Sequence, residues 1–316
     1  MPGPIWLLTD ALMDAHRTSA HPERPERREA VASGVRDAAG DRLVDAPFEP
    51  ATDDQILAVH ARAYLALLED ADRRGGGWLD PDTYIAAGSM RAARLAAGAT
   101  LHAAVGVAAG AAEVAFAVVR PPGHHARAEQ GSGFCLLNNV CIAAAGLRGL
   151  GHARRIAIID WDVHHGDGTQ EVFDADADLC YASTHQFPFY PGTGRAEDRG
   201  TGATIGTKHN HPLAAGDGDD AFVAAWRDEL LPAVEAFAPQ AILISAGFDA
   251  HRADPLTELQ VTDDGFAEVS RLVGALSKRL GLPGVALTLE GGYDLDALRA
   301  SAAATVTGIL EGRNRA

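Results

Sequence analysis

Short apolar runs alternate with longer amphipathic stretches along this chain. Six runs of four or five mostly aliphatic residues have the length and composition of strands that are buried on both faces, as in a parallel sheet. We predict strands at residues 5–8, 115–119, 156–159, 179–183, 241–245 and 285–289.

The stretches between these runs have the spacing of helices that pack one face against a sheet. We predict helices up to about residue 39, from 53, from the capping residues at 80–83 to about 109, from about 170, at 219–237 and at 295–310. Thr52 and Gln55 have the spacing of a capping box at the second of these helices. Arg24, Arg27 and Arg28 lie on the first helix and are expected to be surface charges.

Regular alternation of strand and helix predicts an α/β fold, with a central, mostly parallel sheet and helices on both of its faces. No internal repeat, Pro- or Ser-rich linker or low-complexity tract interrupts the pattern. We therefore expect residues 1–316 to form a single domain.

Composition and charge restrict the classes of partner that this protein can have. The 43 acidic residues outweigh the 27 lysines and arginines, giving a formal charge of −16. This balance argues against a nucleic-acid partner and is compatible with a cationic substrate. The three cysteines form no CxxC pair. The start of the chain lacks the basic region of a signal peptide. The Ala- and Gly-rich stretch at 92–112 favours a buried helix over a membrane span. We expect a cytoplasmic protein with no membrane partner, and a homo-oligomer is left open.

The run at 156–159 leads into a dense group of polar residues. The stretch from 156 to 169 reads IAIIDWDVHHGDGT. Asp160, Asp162 and His164 have a spacing of two, which would put all three on one face if the chain stayed extended. Carboxylates that close repel each other strongly unless a cation joins them. A metal ion is the simplest remedy, and Zn²⁺ accepts both nitrogen and oxygen ligands.

Three other predicted strands also lead into polar residues. The strand at 115–119 is followed by a Pro-Pro-Gly turn and the pair His124 and His125, the strand at 241–245 by Asp249, and the strand at 285–289 by Tyr293. Ligand sites in open α/β sheets lie beyond the carboxyl ends of the strands. We therefore expect these side chains to converge with those that follow residue 159.

Together these residues supply the parts for metal-assisted hydrolysis. Asp162, His164 and Asp249 can hold Zn²⁺ with one coordination position open.

A histidine can take a proton from water and return it to a leaving amine. Asp160 and Asp167 are available to orient His124 and His125. Tyr293 can donate a hydrogen bond to the developing oxyanion.

Five motifs in combination resemble the histone deacetylase family: RPPGHHA, GFCLLNN, DWDVHHGDGT, SAGFDAHRADPL and LEGGYDL. The likeness is to its class II-like and bacterial amidohydrolase branches, which are related to acetylpolyamine amidohydrolases and acetoin utilisation proteins. It extends from about residue 21 to 295. It implies an arginase/deacetylase-type α/β fold, a Zn²⁺ enzyme and hydrolysis of an N-acetylated amine.

The resemblance also implies roles for individual residues. The zinc ligands would be Asp162, His164 and Asp249. His125 would be the general base and acid, with Asp167 behind it. His124 would be its electrostatic partner, with Asp160 behind it. Tyr293 would donate a hydrogen bond in the transition state. Substrate contacts would come from the tunnel residues Gly133, Phe134 and Tyr190, the rim residue Asp82, and Arg27 on an inner channel. Considered alone, Phe134 is more typical of a core residue.

Structural K⁺ ions are a further implication of the resemblance. One site would involve Asp160, Asp162, His164, Ser183 and Thr184. A second would consist of backbone oxygens near Phe173, Asp176 and Leu179.

Two departures from the family bear on the substrate. Tyr190 stands where a phenylalanine is commonest, and Leu256 stands where branches specialised for acetylpolyamines carry an acidic residue. An acyl-lysine or small acylated amine is therefore the first choice of substrate, with an acetylpolyamine as the alternative.

Three other interpretations remain. The polar residues could satisfy one another in a core network, although eight of them at four strand ends make this a poor explanation. A binuclear manganese ureohydrolase would want more carboxylates than GFDAH offers around Asp249. A binding module that has lost its chemistry would be expected to lack His125 or Tyr293, and both are present.

Overall fold

Eight parallel strands form the central sheet of the computed structural model, which describes residues 3–315. Their order across the sheet is β2-β1-β5-β10-β9-β6-β7-β8, and β3 and β4 form a separate antiparallel hairpin. The strands are β1 (Ile5–Leu8), β2 (Leu43–Asp45), β3 (Gly76–Trp78), β4 (Tyr84–Ala86), β5 (Val114–Ala117), β6 (Ile156–Asp160), β7 (Leu179–Gln186), β8 (Lys208–Leu213), β9 (Ala241–Ala246) and β10 (Val285–Leu289).

Helices cover both faces of this sheet. They are α1 (Glu26–Ala39), α2 (Asp53–Leu57), α3 (Arg62–Arg73), α4 (Ser89–Ala108), α5 (Asn139–Gly149), α6 (Asp167–Val172), α7 (Asp219–Ala224), α8 (Leu231–Phe237), α9 (Asp263–Arg279) and α10 (Leu295–Arg315). A π-helical segment, Ala225–Leu230, joins α7 to α8. The predicted α/β fold with a parallel sheet is confirmed.

Alternation along the buried strands divides the core in two. In β6, Ala157 and Ile159 belong to the core cluster that includes side chains of α1, α9 and α10, whereas Ile156 and Ile158 belong to the cluster that includes side chains of α4 and α5. Successive side chains of a strand point to opposite faces, so an uninterrupted aliphatic run is what a sheet covered on both faces requires.

The strand order places the candidate residues side by side. The strands that precede His124, Tyr293, Asp249 and Asp162 are β5, β10, β9 and β6, which are consecutive in the sheet. All four run in the same direction, so their carboxyl ends open onto one edge.

Several elements differ from the prediction. The edge strands β2 and β8 were not predicted, because β2 is short and β8, with the sequence KHNHPL, lacks an aliphatic run. Helices α3, α5 and α9 were also missed. The long helix α4 begins at Ser89 rather than near residue 80, since Oδ1 of Asp80 accepts the backbone N–H groups of Asp82 and Thr83 in the turn of the β3–β4 hairpin.

The predicted capping box is confirmed. The backbone N–H of Thr52 donates to Gln55 at 2.8 Å, and the N–H of Gln55 donates back to the Thr52 hydroxyl at 3.4 Å. Within residues 3–315, no helix has the length and apolar character needed to cross a membrane.

Candidate metal and catalytic site

The chain bends immediately after β6. The strand ends at Asp160, and the next residues form bends rather than an extended segment. Asp160 turns toward His124, whereas Asp162 and His164 turn toward Asp249. The chain therefore does not stay extended, and the condition under which Asp160, Asp162 and His164 would share one face is not met.

Three side chains form a group that could hold a metal ion. Asp162, His164 and Asp249 each offer one ligand atom, and these atoms lie within 4.8 Å of one another. Nδ1 of His164 lies 3.0 Å from Oδ1 of Asp162 and 3.3 Å from Oδ2 of Asp249. Both carboxylates are fully buried.

Backbone groups fix the orientation of the two carboxylates. The N–H of Gly291 donates to Oδ2 of Asp162 at 2.7 Å, and the N–H of Val163 donates to Oδ1 of Asp249 at 2.9 Å. A Cβ atom at position 291 would lie 2.0 Å from Oδ2 of Asp249, so this approach requires glycine. Each carboxylate is thus oriented by the peptide chain before any ligand binds.

The electrostatics of this group favour a cation. Burial raises the pKa of Asp249, and the neighbouring carboxylate of Asp162 raises it further. Oδ2 of Asp249 is buried and accepts no hydrogen bond from residues 3–315, although Nδ1 of His164 lies 3.3 Å away. Two buried carboxylates this close repel each other, and a metal ion between them would relieve the repulsion. The residues present therefore fit a metal ion.

The paired histidines each have a buried carboxylate behind them. Nδ1 of His124 lies 3.1 Å from Oδ2 of Asp160, and Nδ1 of His125 lies 2.7 Å from Oδ1 of Asp167. Arg127 donates to the other oxygen of Asp167 at 2.7 Å. Both histidines contact these carboxylates through Nδ1. Nε2 of each ring therefore takes no part in the contacts with Asp160 and Asp167.

The pKa values of the two imidazoles are shifted in opposite directions. Burial lowers the pKa of His125 to about 4, and the adjacent His124 adds to this effect. Burial also disfavours the charged form of His124, but the carboxylates of Asp162 and Asp160 outweigh it and hold the pKa of His124 well above its usual value. The pair is therefore arranged with a neutral His125 beside a protonated His124.

Glu290 holds the turn that carries the two histidines, a role that the sequence reasoning missed. Its Oε2 accepts the backbone N–H groups of Gly123 at 2.7 Å and His124 at 3.1 Å, and Ser245 donates to Oε1. Its side chain is fully buried. An acid directly after the aliphatic strand β10 was the available signal, because a buried carboxylate needs several donors.

A cavity of about 250 Å³ lies over these groups. Gly133 has φ +54°, and a Cβ atom there would lie 2.3 Å from the His125 ring. The Tyr190 ring stands edge-on to His125, with ring centroids 5.2 Å apart. Phe134 lines the cavity, so the separate expectation of a core position for it is wrong. The lining is formed by Asp82, Pro122, His124, His125, Gly133, Phe134, His164, Tyr190, Leu256, Gly291 and Tyr293.

Tyr293 forms part of the inner wall. Its ring is edge-on to Phe134, with ring centroids 5.9 Å apart, and the Arg27 guanidinium lies 4.9 Å from the Tyr293 ring centroid. Leu256 and Tyr190, which are 38% and 40% exposed, lie where the cavity meets the surface. The Asp82 carboxylate also lines the cavity and accepts the hydroxyl hydrogen of Thr83.

Arg27 is buried, and the expectation of a surface charge is wrong for it. It donates to Glu23 at 3.0 Å and to the backbone carbonyl oxygens of Glu290 and Gly292. Arg28 is 8% exposed and pairs with Asp14, so it too departs from the expectation. Arg24 is exposed, as predicted.

The residues expected around one K⁺ ion lie on two neighbouring strands and just after the first of them. Asp160 of β6 and Ser183 of β7 are register partners, and Asp162, His164 and Thr184 follow them in the chain. The hydroxyl of Thr184 accepts a hydrogen bond from the Trp226 indole at 3.1 Å. K⁺ at this position stays a prediction.

The second expected K⁺ position disagrees with the structure. Nζ of the buried Lys208 donates to the carbonyl oxygens of Leu179 at 3.1 Å and Asp176 at 3.5 Å, and to the hydroxyl of Thr207 at 2.9 Å. The expected ligands were backbone oxygens near Phe173, Asp176 and Leu179. Asp176 and Leu179 instead direct their backbone oxygens at the Lys208 ammonium group. These oxygens do not fit an additional cation, because like charges so close would repel.

Known proteins are similar to this chain in sequence and in fold. The family model described as "Histone deacetylase domain" matches residues 21–309. A probable deacetylase of Archaeoglobus fulgidus is 42% identical over 284 residues, covering 89% of this chain and 78% of that protein. A histone deacetylase-like amidohydrolase of Pseudomonas aeruginosa is 38% identical over 280 residues, which cover 87% of this chain and 73% of that protein. The crystal structure of the HDA15 HD domain superposes with a TM-score of 0.90 at 36% identity, covering 96% of this chain and 90% of that one.

The fold and site define an α/β protein with a metal-ligand group and paired histidines at the carboxyl edge of a parallel sheet. This chain belongs to the histone deacetylase family. The predicted resemblance is confirmed, and the relatives named as deacetylases and as an amidohydrolase support a hydrolase.

Proposed function

We propose that this chain is a zinc-dependent deacetylase that hydrolyses the amide bond of an N-acetylated amine, with acetyl-lysine or a small acylated amine as substrate. The observation that carries the proposal is that one cavity is lined by a metal-ligand histidine, the His124–His125 pair and Tyr293. Family membership supports the same class of reaction.

Asp162, His164 and Asp249 would hold Zn²⁺, since this ion accepts imidazole nitrogen and carboxylate oxygen and its catalytic sites use three protein ligands. Zn²⁺ bound there supplies Lewis acidity, which polarises the acyl carbonyl and makes water a stronger nucleophile. Oδ2 of Asp249, which accepts no hydrogen bond from the described part of the chain, supports this assignment.

His125 is suited to move the proton. Its Nδ1 faces Asp167, so Nε2 is the nitrogen available to take a proton from the attacking water and return it to the departing amine. The low pKa of His125 keeps the ring neutral before the reaction. His124, whose Nδ1 faces Asp160 at 3.1 Å, would stabilise negative charge beside it.

Tyr293 is suited to donate a hydrogen bond to the acyl oxygen as it becomes negatively charged. Burial raises the pKa of its hydroxyl well above the usual value, so it keeps its proton. Phe134 and Tyr190 supply apolar walls that suit the methylene chain of an acyl-lysine or alkylamine. Asp82 is available to accept an N–H of the substrate, and Leu256 provides an uncharged rim.

The remaining assignments are also part of the proposal. K⁺ would bind only near Asp160 and Ser183, because Lys208 supplies the cation at the second position. The three cysteines are buried and unpaired, which supports a reducing compartment such as the cytoplasm. The charge of −16 disfavours a nucleic-acid partner.

The test is release of acetate from an acetyl-lysine peptide and from N-acetylputrescine by the same zinc-loaded sample. His125→Ala serves as the control that assigns any activity to this site. Faster turnover of the peptide supports the acyl-lysine assignment, and faster turnover of the small amine moves it to an acetylpolyamine. No release from either substrate would contradict an acetyl-specific deacetylase.

A further inference from the structure

One peptide group next to the cavity is held at both ends by buried polar side chains. The carbonyl oxygen of Gly292 accepts a hydrogen bond from Arg27, and the N–H of the same peptide group, which belongs to Tyr293, donates to Oδ2 of Asp254 at 2.7 Å. Gly292 has φ +110°, a conformation that residues with a side chain rarely adopt. The peptide therefore needs external contacts that fix its orientation.

Asp254 also binds the rim of the cavity. Its Oδ1 accepts the N–H of Leu256 at 3.0 Å, and Asp254 is only 7% exposed. The hydroxyl of Thr257 donates to the backbone oxygen of Asp249 at 2.6 Å, which closes the same loop. One buried carboxylate thus connects the loop at the cavity mouth with the backbone of Tyr293, 39 residues away in the chain.

We propose that Asp254 is a positioning residue that sets the Tyr293 hydroxyl for the acyl oxygen while it fixes the rim at Leu256. This inference rests on the proposed function, in which Tyr293 is the hydrogen-bond donor. A donor stabilises a developing charge most when it is already oriented, and small misplacements reduce the rate strongly. Without Asp254, the Tyr293 N–H would be buried without a partner, and the peptide could rotate to find one.

Two substitutions separate the contacts of Asp254. In Asp254→Ser, the hydroxyl can still accept the N–H of Leu256, two residues on, as serine does in local turns. The shorter side chain loses the contact with Tyr293. In Asp254→Asn, one oxygen is replaced by an NH₂ group that cannot accept an N–H, so one of the two contacts is lost without shortening the side chain.

The test is a double-mutant cycle with Tyr293→Phe, with kcat and KM measured on an acetyl-lysine peptide or on whichever acylated amine the wild type hydrolyses. We expect Asp254→Ser to lower kcat by ~10-fold or more in the wild-type background, with a smaller change in KM. In the Tyr293→Phe background, the same substitution should change kcat by less than ~2-fold. An equal loss in both backgrounds, or no loss in the wild-type background, overturns the proposal.

Asp219 offers a matched control. It is partly buried, and its two oxygens accept the N–H and hydroxyl of Thr262 at 2.8 and 2.6 Å, away from the cavity. Asp219→Ser should lower the melting temperature and leave kcat unchanged. Zinc content is measured in every variant, and Asp254→Ser should keep that of the wild type. If Tyr293→Phe alone leaves kcat unchanged, the proposed function fails; if Tyr293→Phe lowers kcat and Asp254→Ser does not, only the role of Asp254 fails.

Discussion

Nδ1 of His125 lies 2.7 Å from a carboxylate oxygen of Asp167, and both side chains are buried beside the metal-ligand group. This contact fixes which ring nitrogen carries the proton. With Nδ1–H donated to Asp167, Nε2 keeps its lone pair for the substrate side.

Asp167→Asn should lower kcat by ~10²-fold or more while the fold is retained. An amide can turn its NH₂ group toward Nδ1 and thereby stabilise the wrong tautomer, with the proton on Nε2. Steady-state kinetics on the acetylated substrate measure the effect. Asp178→Asn, which removes an exposed contact with Arg154 at 2.7 Å, is the matched control and should leave kcat unchanged. Equal kinetics for Asp167→Asn and the wild type would remove Asp167 from the mechanism.

Tyr293→Phe should lower kcat by ~10²- to 10³-fold, the range seen when one oxyanion donor is removed. Zinc content should be unchanged, because Tyr293 is not among the metal-ligand residues. Tyr64→Phe deletes a hydroxyl that donates to the backbone oxygen of Leu136 at 2.8 Å, so it should affect stability and not kcat. Unchanged turnover in Tyr293→Phe would exclude the proposed hydrogen bond.

Lys208→Ala should lower the melting temperature in a buffer that contains choline chloride, and KCl at the same ionic strength should restore part of the loss. The substitution leaves the carbonyl oxygens of Leu179 and Asp176 without their ammonium partner, and oxygen ligands of this kind suit a hard cation. The chain's other lysine, Lys278, is exposed, and Lys278→Ala should show neither effect. A loss that KCl does not reverse would contradict the assignment of Lys208 as a built-in cation.

His60 should make stability depend on pH. Its Nδ1 donates to the backbone oxygen of Arg127, and its Nε2 accepts the N–H of Asn138, an arrangement that only a neutral ring allows. Burial lowers its pKa from 6.5 to about 4. Above pH 6.5 the ring is neutral in both states. As pH falls from about 6.5 toward 4, the unfolded chain binds a proton that the folded chain does not, so the free energy of unfolding decreases by on the order of 3 kcal/mol.

His60→Gln should reduce this decrease. Denaturant unfolding at several pH values between 7 and 4 measures it, and His152→Gln at an exposed histidine is the control. The same pH slope in His60→Gln and the wild type would show that other groups are responsible.

The convergence of the site could be predicted because it depends on topology. His124, Asp162, Asp249 and Tyr293 each follow a buried strand, and parallel strands must present their carboxyl ends at one edge. The aliphatic runs were long enough to identify those strands. The regular alternation with helices then fixed their common direction.

Local geometry and long-range pairing could not be predicted in the same way. The bend after Asp160 leaves Asp160 beside Nδ1 of His124 and brings Asp162 into the metal-ligand group, and nothing in their spacing signals it. Arg27 looked like a surface charge because its partners, the backbone oxygens of Glu290 and Gly292, lie more than 260 residues away in sequence. The burial of Lys208 likewise depends on carbonyl groups of another strand.

The measurement that tests the central claim most directly is a zinc titration of metal-free protein, followed by acetate release from an acetyl-lysine peptide. Activity should be absent without metal and should rise until about one equivalent of Zn²⁺ is bound through Asp162, His164 and Asp249. Asp249→Ala should neither bind that equivalent nor gain activity. Full acetate release by the metal-free protein, or full zinc occupancy in Asp249→Ala, would contradict the account.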